Sequence, residues 1–172
     1  MTDWPAIMRE HGPLVWRSAY RVLGNDSDSA DAFQQTFLAA VELDSREAVR
    51  SWPAVLSVLA TRQSLMLLRT RSREKSRLRP LPNSLPIDAA AIDPARLAEA
   101  DELDKRLRQA LAELDITQAE VFCRICFEGL SNQQAAEELG LKPTHVGVLL
   151  HRARETLREK LKAFVSRHEV RP

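Results

Sequence analysis

Two groups of side chains in this 172-residue chain have types that could do chemistry. Four carboxylates, Asp28, Asp31, Glu42 and Asp44, are the nearest thing to a magnesium cluster for phosphodiester cleavage, which requires acids gathered around one ion. Cys123 to Cys126 form a single CxxC inside a predicted helix, and zinc would require a second ligand pair. The sequence therefore favours cysteines that pack in the helix core or at its boundary over a metal site. It also favours a protein that is not an enzyme and holds no metal or cofactor over a nuclease.

A basic block follows in the middle of the chain, where residues 62–79 contain seven basic groups and one acid. Arg62, Arg69 and Arg73 are spaced by seven and four, so they share one face of a helix. Arg71 extends the same block. Binding a nucleic-acid backbone requires like charges and little else, so the block predicts a DNA-facing surface. The alternative is a solvated, charged helix end.

The C-terminal stretch has the pattern of three short helices separated by turns. Thr117–Glu120 and Ser131–Gln134 have the form of capping boxes, and Gly129 and Gly140 are suited to the helix ends that follow. Pro143 suits the first position of the third helix. The pattern predicts a helix-turn-helix, whose last helix enters a DNA major groove.

That last helix is predicted to be amphipathic. One apolar stripe recurs at spacings of three and four: Val146, Leu150, Ala153, Leu157, Leu161 and Phe164. The opposite face carries His151, Arg152, Arg154 and Arg158. The stripe therefore predicts which side packs inward and which side faces a partner.

The N-terminal part predicts four helices. We expect them at 3–10, at 13–23 with Gly24 as its end, at 28–43, and from about Pro53 through the basic block. In the third, Asp31, Gln34 and Gln35 lie largely off the apolar stripe, which is the pattern of a polar docking face or of plain solvated surface.

The composition favours an all-α fold, because aromatic residues make up only 5% of the chain and glycines number five. We expect two small helical domains, at 1–79 and 96–172, the second a helix-turn-helix. Residues 80–95 contain four prolines and predict a flexible linker. An apolar run long enough to span a membrane and a signal-peptide pattern are both absent, so we expect a cytoplasmic protein.

The stretch AEVFCRICFEGLSNQQAAEELGLKPTHVGVLLHRARETLREKL resembles the promoter-reading C-terminal domain of bacterial sigma factors, in particular the extracytoplasmic-function group. The resemblance implies core RNA polymerase and promoter DNA as partners, with an anti-sigma factor as a candidate third. It places recognition of the minus-thirty-five element on the last helix. The residues expected to contact DNA there are Lys142, Thr144, His145, Val148, His151, Arg152 and Arg154.

The stretch GPLVWRSAYRVLGNDSDSADAFQQTFLAAVE is similar to the start of the second conserved region of the same family. The resemblance implies a polymerase-docking helix, on which the matching polar positions are Asp28, Asp31, Gln34 and Gln35. Gln35 stands where the family usually has glutamate.

VLSVLATRQSLMLLRTRSR resembles the helix that reads the minus-ten element. The residues expected to contact DNA there are Trp52, Arg62, Arg69, Arg71 and Arg73. The chain departs from the family pattern at Val55 and Leu56 in place of Trp-Leu, at Arg62 in place of Asn, and at Met66 in place of Asp.

Two functional hypotheses remain from the sequence. The first is a sigma factor that directs promoter recognition and initiation. The second is a sigma-like regulator that binds polymerase or an anti-sigma partner but reads promoters poorly. The last helix supports weakened readout, because Gly147, Val148 and Leu149 stand where Lys, Ser and Arg are common. We expect Val148 and Leu149 to face outward, either onto thymine methyl groups or into an interface with an inhibitor protein or with the other domain.

Overall fold

The computed structural model of the protein describes residues 2–77 and 94–168, and within these ranges it is helical without a strand. The helices are α1 (Trp4–Leu23), α2 (Asp26–Asp44), α3 (Trp52–Arg77), α4 (Pro94–Glu113), α5 (Ile116–Phe122), a π turn (Cys123–Phe127), α6 (Asn132–Leu139) and α7 (Pro143–His168). The all-α prediction is confirmed. Most of the predicted linker, residues 80–93, lies outside the described residues.

Helices α1, α2 and α3 pack around one apolar cluster. Val15 of α1, Phe37 of α2 and Leu56 of α3 are buried at its centre. Burying such side chains contributes about 1.5–3 kcal/mol each. These contacts hold α2 and α3 side by side.

Helix α1 is continuous, so the predicted break before Pro13 is wrong. Asp3 caps the start, where its side chain accepts a hydrogen bond of 3.0 Å from the Ala6 N–H. Ile7 before the proline and Val15 after it pack on the same cluster. This shared burial offsets the cost of an interior proline, which is about 3 kcal/mol. Gly24, at φ +70°, ends the helix as predicted.

Helix α5 begins differently from the prediction. Asp115 caps its start, and the expected capping box of Thr117 and Glu120 is absent. The Asp115 carboxylate accepts hydrogen bonds from the Thr117 N–H at 3.0 Å and the Gln118 N–H at 3.3 Å. Glu120, which would have completed a box with Thr117, is buried and bonds to Arg62 of α3. The carboxylate of Glu120, which the local pattern assigned to a helix cap, therefore binds Arg62 on a distant helix instead.

Helices α6 and α7 confirm the predicted helix-turn-helix. Ser131 and Gln134 form the reciprocal capping box at the start of α6, and Gly140 ends it at φ +66°. Pro143 opens α7 as predicted. Ala136 and Val146 are both buried where the two helices cross.

A wide π turn, which the sequence did not predict, joins α5 to the loop before α6. The Glu128 N–H donates to the Cys123 carbonyl at 3.2 Å, five residues earlier. Cys123 and Arg124 are both buried within this turn, while Cys126 is exposed. Gly129, at φ +75°, ends the segment as predicted.

The two helical regions share a second apolar cluster. Val22 of α1 and Leu65 of α3 pack there with Leu111, Leu114 and Cys123 of the C-terminal half. All five side chains are at most 2% exposed. The two regions are therefore packed against each other. None of the helices in the described ranges combines the length and apolar character needed to cross a membrane.

The cap of α5 can be tested by a matched pair of substitutions. We expect Asp115→Ala to lower the free energy of unfolding by about 1 kcal/mol, because two N–H groups lose their acceptor. Thr117→Ala should change it by less than about 0.5 kcal/mol. Chemical denaturation followed by circular dichroism measures both free energies of unfolding. A larger loss of stability in Thr117→Ala than in Asp115→Ala would support the capping box predicted from the sequence.

Candidate nucleic-acid interface

The outward face of α7 is the first candidate surface. The inward stripe is confirmed at four positions, because Val146, Leu150, Ala153 and Leu157 are buried. Leu161 is partly buried, and the side chain of Phe164 lies outside the described residues. With that stripe inside, seven side chains at the start of α7 and along it are exposed: Lys142, Thr144, His145, Val148, His151, Arg152 and Arg154. The structure therefore brings the whole predicted set to the surface of one helix and the turn before it.

Leu149 does not belong to that surface, so the prediction that it faces outward is wrong. It is 7% exposed and packs with Val121 and Ala135, whereas Val148 is 48% exposed. The buried face of α7 is wider than the predicted apolar stripe, because α5 and α6 both pack against this helix. Of Val148 and Leu149, only the side chain of Val148 is exposed for contact with a partner.

Two polar side chains on α7 contact neighbouring polar groups. Arg154 lies 3.7 Å from the Cys126 sulfur, and His151 lies 3.5 Å from Glu155. Among the described residues, no three His, Cys, Asp or Glu side chains are placed to hold a metal ion. Burial raises the pKa of the Cys123 thiol, which keeps it protonated. Cys123 packs in the core and Cys126 lies at the surface.

Two of the arginines predicted to contact DNA on α3 are bonded to the C-terminal half. Arg62 donates to the Glu120 carboxylate through two nitrogens, at 2.5 and 3.2 Å. The hydrogen bond that Arg62 donates to Glu120 raises the pKa of the Arg62 guanidinium. Arg69 donates to the carbonyls of Ala112, at 3.2 Å, and Leu114 at the end of α4.

The other predicted residues of α3 stay within the N-terminal half. Arg71 lies 3.1 Å from Asp28, 3.6 Å from Asp31 and 3.3 Å from Glu74. Trp52 packs edge-on against Trp4 at a ring separation of 4.9 Å. The structure does not gather all five side chains on one open surface.

Arg73, in contrast, is exposed on the last turns of α3. It is therefore the member of the set best placed to reach a phosphate.

A shallow groove between α2 and α3 carries most of the predicted docking residues. Asp31, Gln34 and Gln35 are exposed, and they line a volume of about 340 Å³ together with Gln63 and Met66. Asp28 is only partly exposed, because its carboxylate accepts a hydrogen bond from the Asn25 side chain and pairs with Arg71. The groove is thus polar on the α2 side and apolar at Met66.

A buried polar network escaped the sequence prediction. Arg124, 1% exposed, ion-pairs with Glu128 and Glu138 and donates to the Ser57 hydroxyl of α3. Thr61 donates to Glu128 at 2.9 Å. Burial lowers the pKa of Arg124, and the Glu128 charge opposes that shift. The signal in the sequence was an arginine inside the apolar run VFCRICF.

Comparison with known proteins assigns both halves to one class. The sequence model of Sigma-70 region 2 matches residues 7–74, which form the bundle of α1 to α3. The model of Sigma-70 region 4 matches residues 104–157, which include the helix-turn-helix. The chain belongs to the sigma-70 family, whose members are regulators of transcription.

A curated relative gives a more specific comparison than the family models. It is 30% identical over 164 residues to the ECF RNA polymerase sigma factor SigE of Mycolicibacterium smegmatis. The match covers 94% of this chain and 62% of that relative, so the chain spans about three fifths of the relative's length. The chain is therefore similar, over nearly its whole length, to a sigma factor of the extracytoplasmic-function type.

Solved structures agree on the fold. CnrH, solved in complex with the cytosolic domain of CnrY, is 27% identical with a TM-score of 0.53, over 92% of this chain and 87% of that one. RpoE of Bartonella quintana, co-crystallised with the anti-sigma factor NepR, has a TM-score of 0.53 at 22% identity. That match covers 94% of this chain and 98% of RpoE.

The orientation of the two neighbouring residues on α7 can be tested by stability. Leu149→Ala should lower the free energy of unfolding by about 2–4 kcal/mol, since it leaves a cavity in the core. Val148→Ala should cost less than about 0.5 kcal/mol. Thermal or urea unfolding of the two variants decides the matter, and equal losses would contradict the assignment of Val148 to the open face.

Proposed function

We propose that this chain binds core RNA polymerase and directs it to promoters, with α7 at the minus-thirty-five element and α3 at the minus-ten element. The observation that carries the proposal is that both family matches coincide with helices presenting a predicted partner surface. The functional units are 1–79 for docking and the minus-ten element, 80–95 as linker, and 96–172 for the minus-thirty-five element. The protein acts in the cytoplasm, and the chain catalyses no reaction.

Polymerase docks on the groove between α2 and α3. Asp31, Gln34 and Gln35 supply an acidic and polar rim, and Met66 supplies an apolar floor that is 52% exposed. A basic or polar helix of the polymerase with an apolar ridge would complement both parts. The Arg71 pairs with Asp28 and Asp31 hold the acidic side of the groove in place.

At the minus-thirty-five element, α7 positions the protein mainly through the DNA backbone. Val148 is the one residue of Gly147, Val148 and Leu149 with an exposed side chain, and it cannot donate a hydrogen bond. Lys142, His151 and Arg152 are exposed cations or donors, and phosphate contacts fix register more than sequence. We therefore expect weak base readout on this side of the promoter.

The second candidate function is a sigma-like regulator held by an anti-sigma partner, with poor promoter reading. It draws support from RpoE and CnrH, whose structures were solved with NepR and with the cytosolic domain of CnrY. The engagement of Arg62 and Arg69 by the C-terminal half also favours it. In vitro transcription with core polymerase and a promoter library separates the two functions, since only the first yields sequence-dependent transcripts.

The docking surface can be tested by charge reversal at matched positions on one helix. Asp31→Arg should weaken capture of core polymerase about ten-fold, because it places like charge against a basic partner. Glu42→Arg makes the same charge change on α2 outside the groove and should leave capture within about two-fold. Equal losses in both variants would assign the effect to overall charge and reject the groove as the dock.

The α7 surface can be tested by the salt dependence of promoter binding. Arg152→Ala should lower the slope of log affinity against log salt by about 0.9, one phosphate contact, and should do so on all promoters alike. Lys105→Ala removes a cation from α4 and should leave the slope unchanged. Val148→Ser should cost little on every promoter. A loss of about 1–3 kcal/mol confined to one thymine-containing position would make Val148 a base reader and contradict weak readout.

A further inference from the structure

The outward side of α1 carries aromatic and basic side chains that the proposed function does not use. Trp16 is 36% exposed and Tyr20, one helical turn later, is 43% exposed. Three exposed arginines flank the two rings, at Arg9, Arg17 and Arg21. The spacings of seven and four residues place Arg9, Trp16 and Tyr20 in one row along the helix. These five residues are called the α1 strip below.

The Trp16 ring is held against α2. It meets Phe33 edge-on, at a ring separation of 6.3 Å. Gly12, one turn before Trp16, lies against the same phenylalanine, because a Cβ at Gly12 would be 3.6 Å from the Phe33 ring. A ring that is already fixed loses little conformational freedom when another flat ring stacks on it. Trp16 is therefore suited to act as a stacking platform.

An open hollow of about 420 Å³ lies beside the two aromatic rings. It is lined by Trp16, Arg17, Tyr20, Arg21 and Asp26, the last of which is the first residue of α2. Among the described residues, neither Arg17 nor Asp26 has a hydrogen-bond or ion-pair partner. Arg21 donates to the Phe127 carbonyl at 2.6 Å through one nitrogen of its guanidinium group. The hollow thus offers aromatic rings, guanidinium donors and one carboxylate acceptor.

This combination fits a single strand of nucleic acid. Proteins hold single strands by stacking bases on aromatic rings and by placing cations along the backbone. From Arg9 to Arg21 the α1 strip is about 18 Å long, which is enough for several nucleotides. Its three guanidinium groups outnumber the carboxylates of Asp26 and of Glu10, which lies 3.9 Å from His11. A duplex would keep its bases stacked inside and could not use the rings.

The openness of the hollow favours a strand over a free nucleotide. Small-molecule sites usually bury 70% or more of their ligand. The hollow lies on the outer side of one helix and the first residue of the next, so it covers one side of a base only. A strand gains further contacts along the α1 strip, whereas a free nucleotide does not.

The Asp26 carboxylate gives the hollow a preference among bases. A carboxylate accepts a hydrogen bond from the amino group of cytosine, while thymine carries a carbonyl oxygen at the same position. Two oxygens facing each other repel. Asp26 therefore favours cytosine over thymine.

We propose that the α1 strip binds single-stranded DNA, with bases stacked on Trp16 and Tyr20, a phosphate on Arg17, and a cytosine amino group on Asp26. This inference rests on the proposed function for the choice of DNA over RNA. The surface is separate from α3, because Val15 and Val22 on the opposite side of α1 pack against Leu56 and Leu65 of that helix.

Trp16 can report occupancy of the α1 strip directly. The chain contains three tryptophans, so a Trp4→Phe, Trp52→Phe background leaves Trp16 as the single fluorescent indole. Oligo(dC) should quench its fluorescence saturably, because a base stacks on the ring. Anisotropy of a labelled strand measures binding to the whole chain in parallel. Binding without quenching of Trp16, or no binding at all, would overturn the proposal.

The stacking contact is tested at Tyr20. Tyr20→Leu keeps an apolar side chain but removes the ring, so the affinity measured by Trp16 quenching should fall about ten-fold. Tyr20→Phe keeps the ring and should stay within about two-fold of the background chain. Leu103→Ala truncates an exposed apolar side chain on α4 and should also leave affinity within about two-fold. Circular dichroism confirms that each variant is folded, and equal losses in Tyr20→Leu and Tyr20→Phe would contradict stacking.

The phosphate contact is tested by salt. Arg17→Ala should lower the slope of log affinity against log salt by about 0.7, the value for one phosphate of a single strand. Arg106→Ala removes the same charge from α4, where the arginine pairs with Glu102, and should leave the slope unchanged. An equal change of slope in both variants would assign the effect to net charge and reject the contact.

The base preference is tested at Asp26. The background chain should bind oligo(dC) about three-fold more tightly than oligo(dT), the scale of one exposed hydrogen bond. Asp26→Ala should bind the two strands equally. Equal binding of both strands by the background chain would contradict the role of Asp26.

Three further outcomes separate the occupant of the α1 strip from the proposed function. Quenching by dCMP at the affinity of oligo(dC) would overturn a strand as the occupant, and tighter binding of oligo(rC) would overturn DNA. Wild-type chain that binds oligo(dC) on Trp16 but gives no promoter-dependent transcripts would reject the proposed function and leave the strand site standing. Promoter-dependent transcripts without Trp16 quenching would do the reverse.

Discussion

The packing of α3 against α5 and the π turn is the contact on which the rest of the structure depends. Its centre holds Arg124, and burying a guanidinium costs several kcal/mol unless its charge is compensated. Glu128 and Glu138 supply that compensation, and Ser57 and Thr61 of α3 bond to the same network. The adjoining apolar cluster of Val22, Leu65 and Leu111 adds burial from both halves. A network of this kind specifies one arrangement of the two halves, because any shift leaves a buried polar group without its partner.

This arrangement leaves two surfaces open and covers part of a third. The groove between α2 and α3 and the outward face of α7 carry exposed polar and basic side chains. On α3 itself, Arg62 and Arg69 are turned to the C-terminal half and Arg73 is exposed. The surfaces proposed for polymerase docking and for the minus-thirty-five element are thus both open in the arrangement described.

The helices, the turn of the helix-turn-helix and the inward stripe of α7 could be predicted from sequence, because capping boxes, glycines and apolar spacing are local signals. The predictions that failed depend on distant partners. Glu120 was assigned to a local cap but bonds to Arg62, and Leu149 was expected outside but is covered by α5 and α6. The continuity of α1 through Pro13 likewise depends on packing against the other helices. The π turn has no periodic signature. The arginine inside the apolar run VFCRICF marked the position of Arg124, but its distant partners Ser57 and Glu138 could not be predicted from a single sequence.

The most direct test of the contact is whether both halves unfold together. All three tryptophans, Trp4, Trp16 and Trp52, lie in the N-terminal half, so their fluorescence reports α1 to α3. The Cys123 thiol, in a Cys126→Ser background, reports the C-terminal half. If one shared core holds the halves together, tryptophan fluorescence and Cys123 reactivity should follow a single transition with the same midpoint in urea. Two transitions with separate midpoints would contradict the account, because they would show that each half is stable without the other.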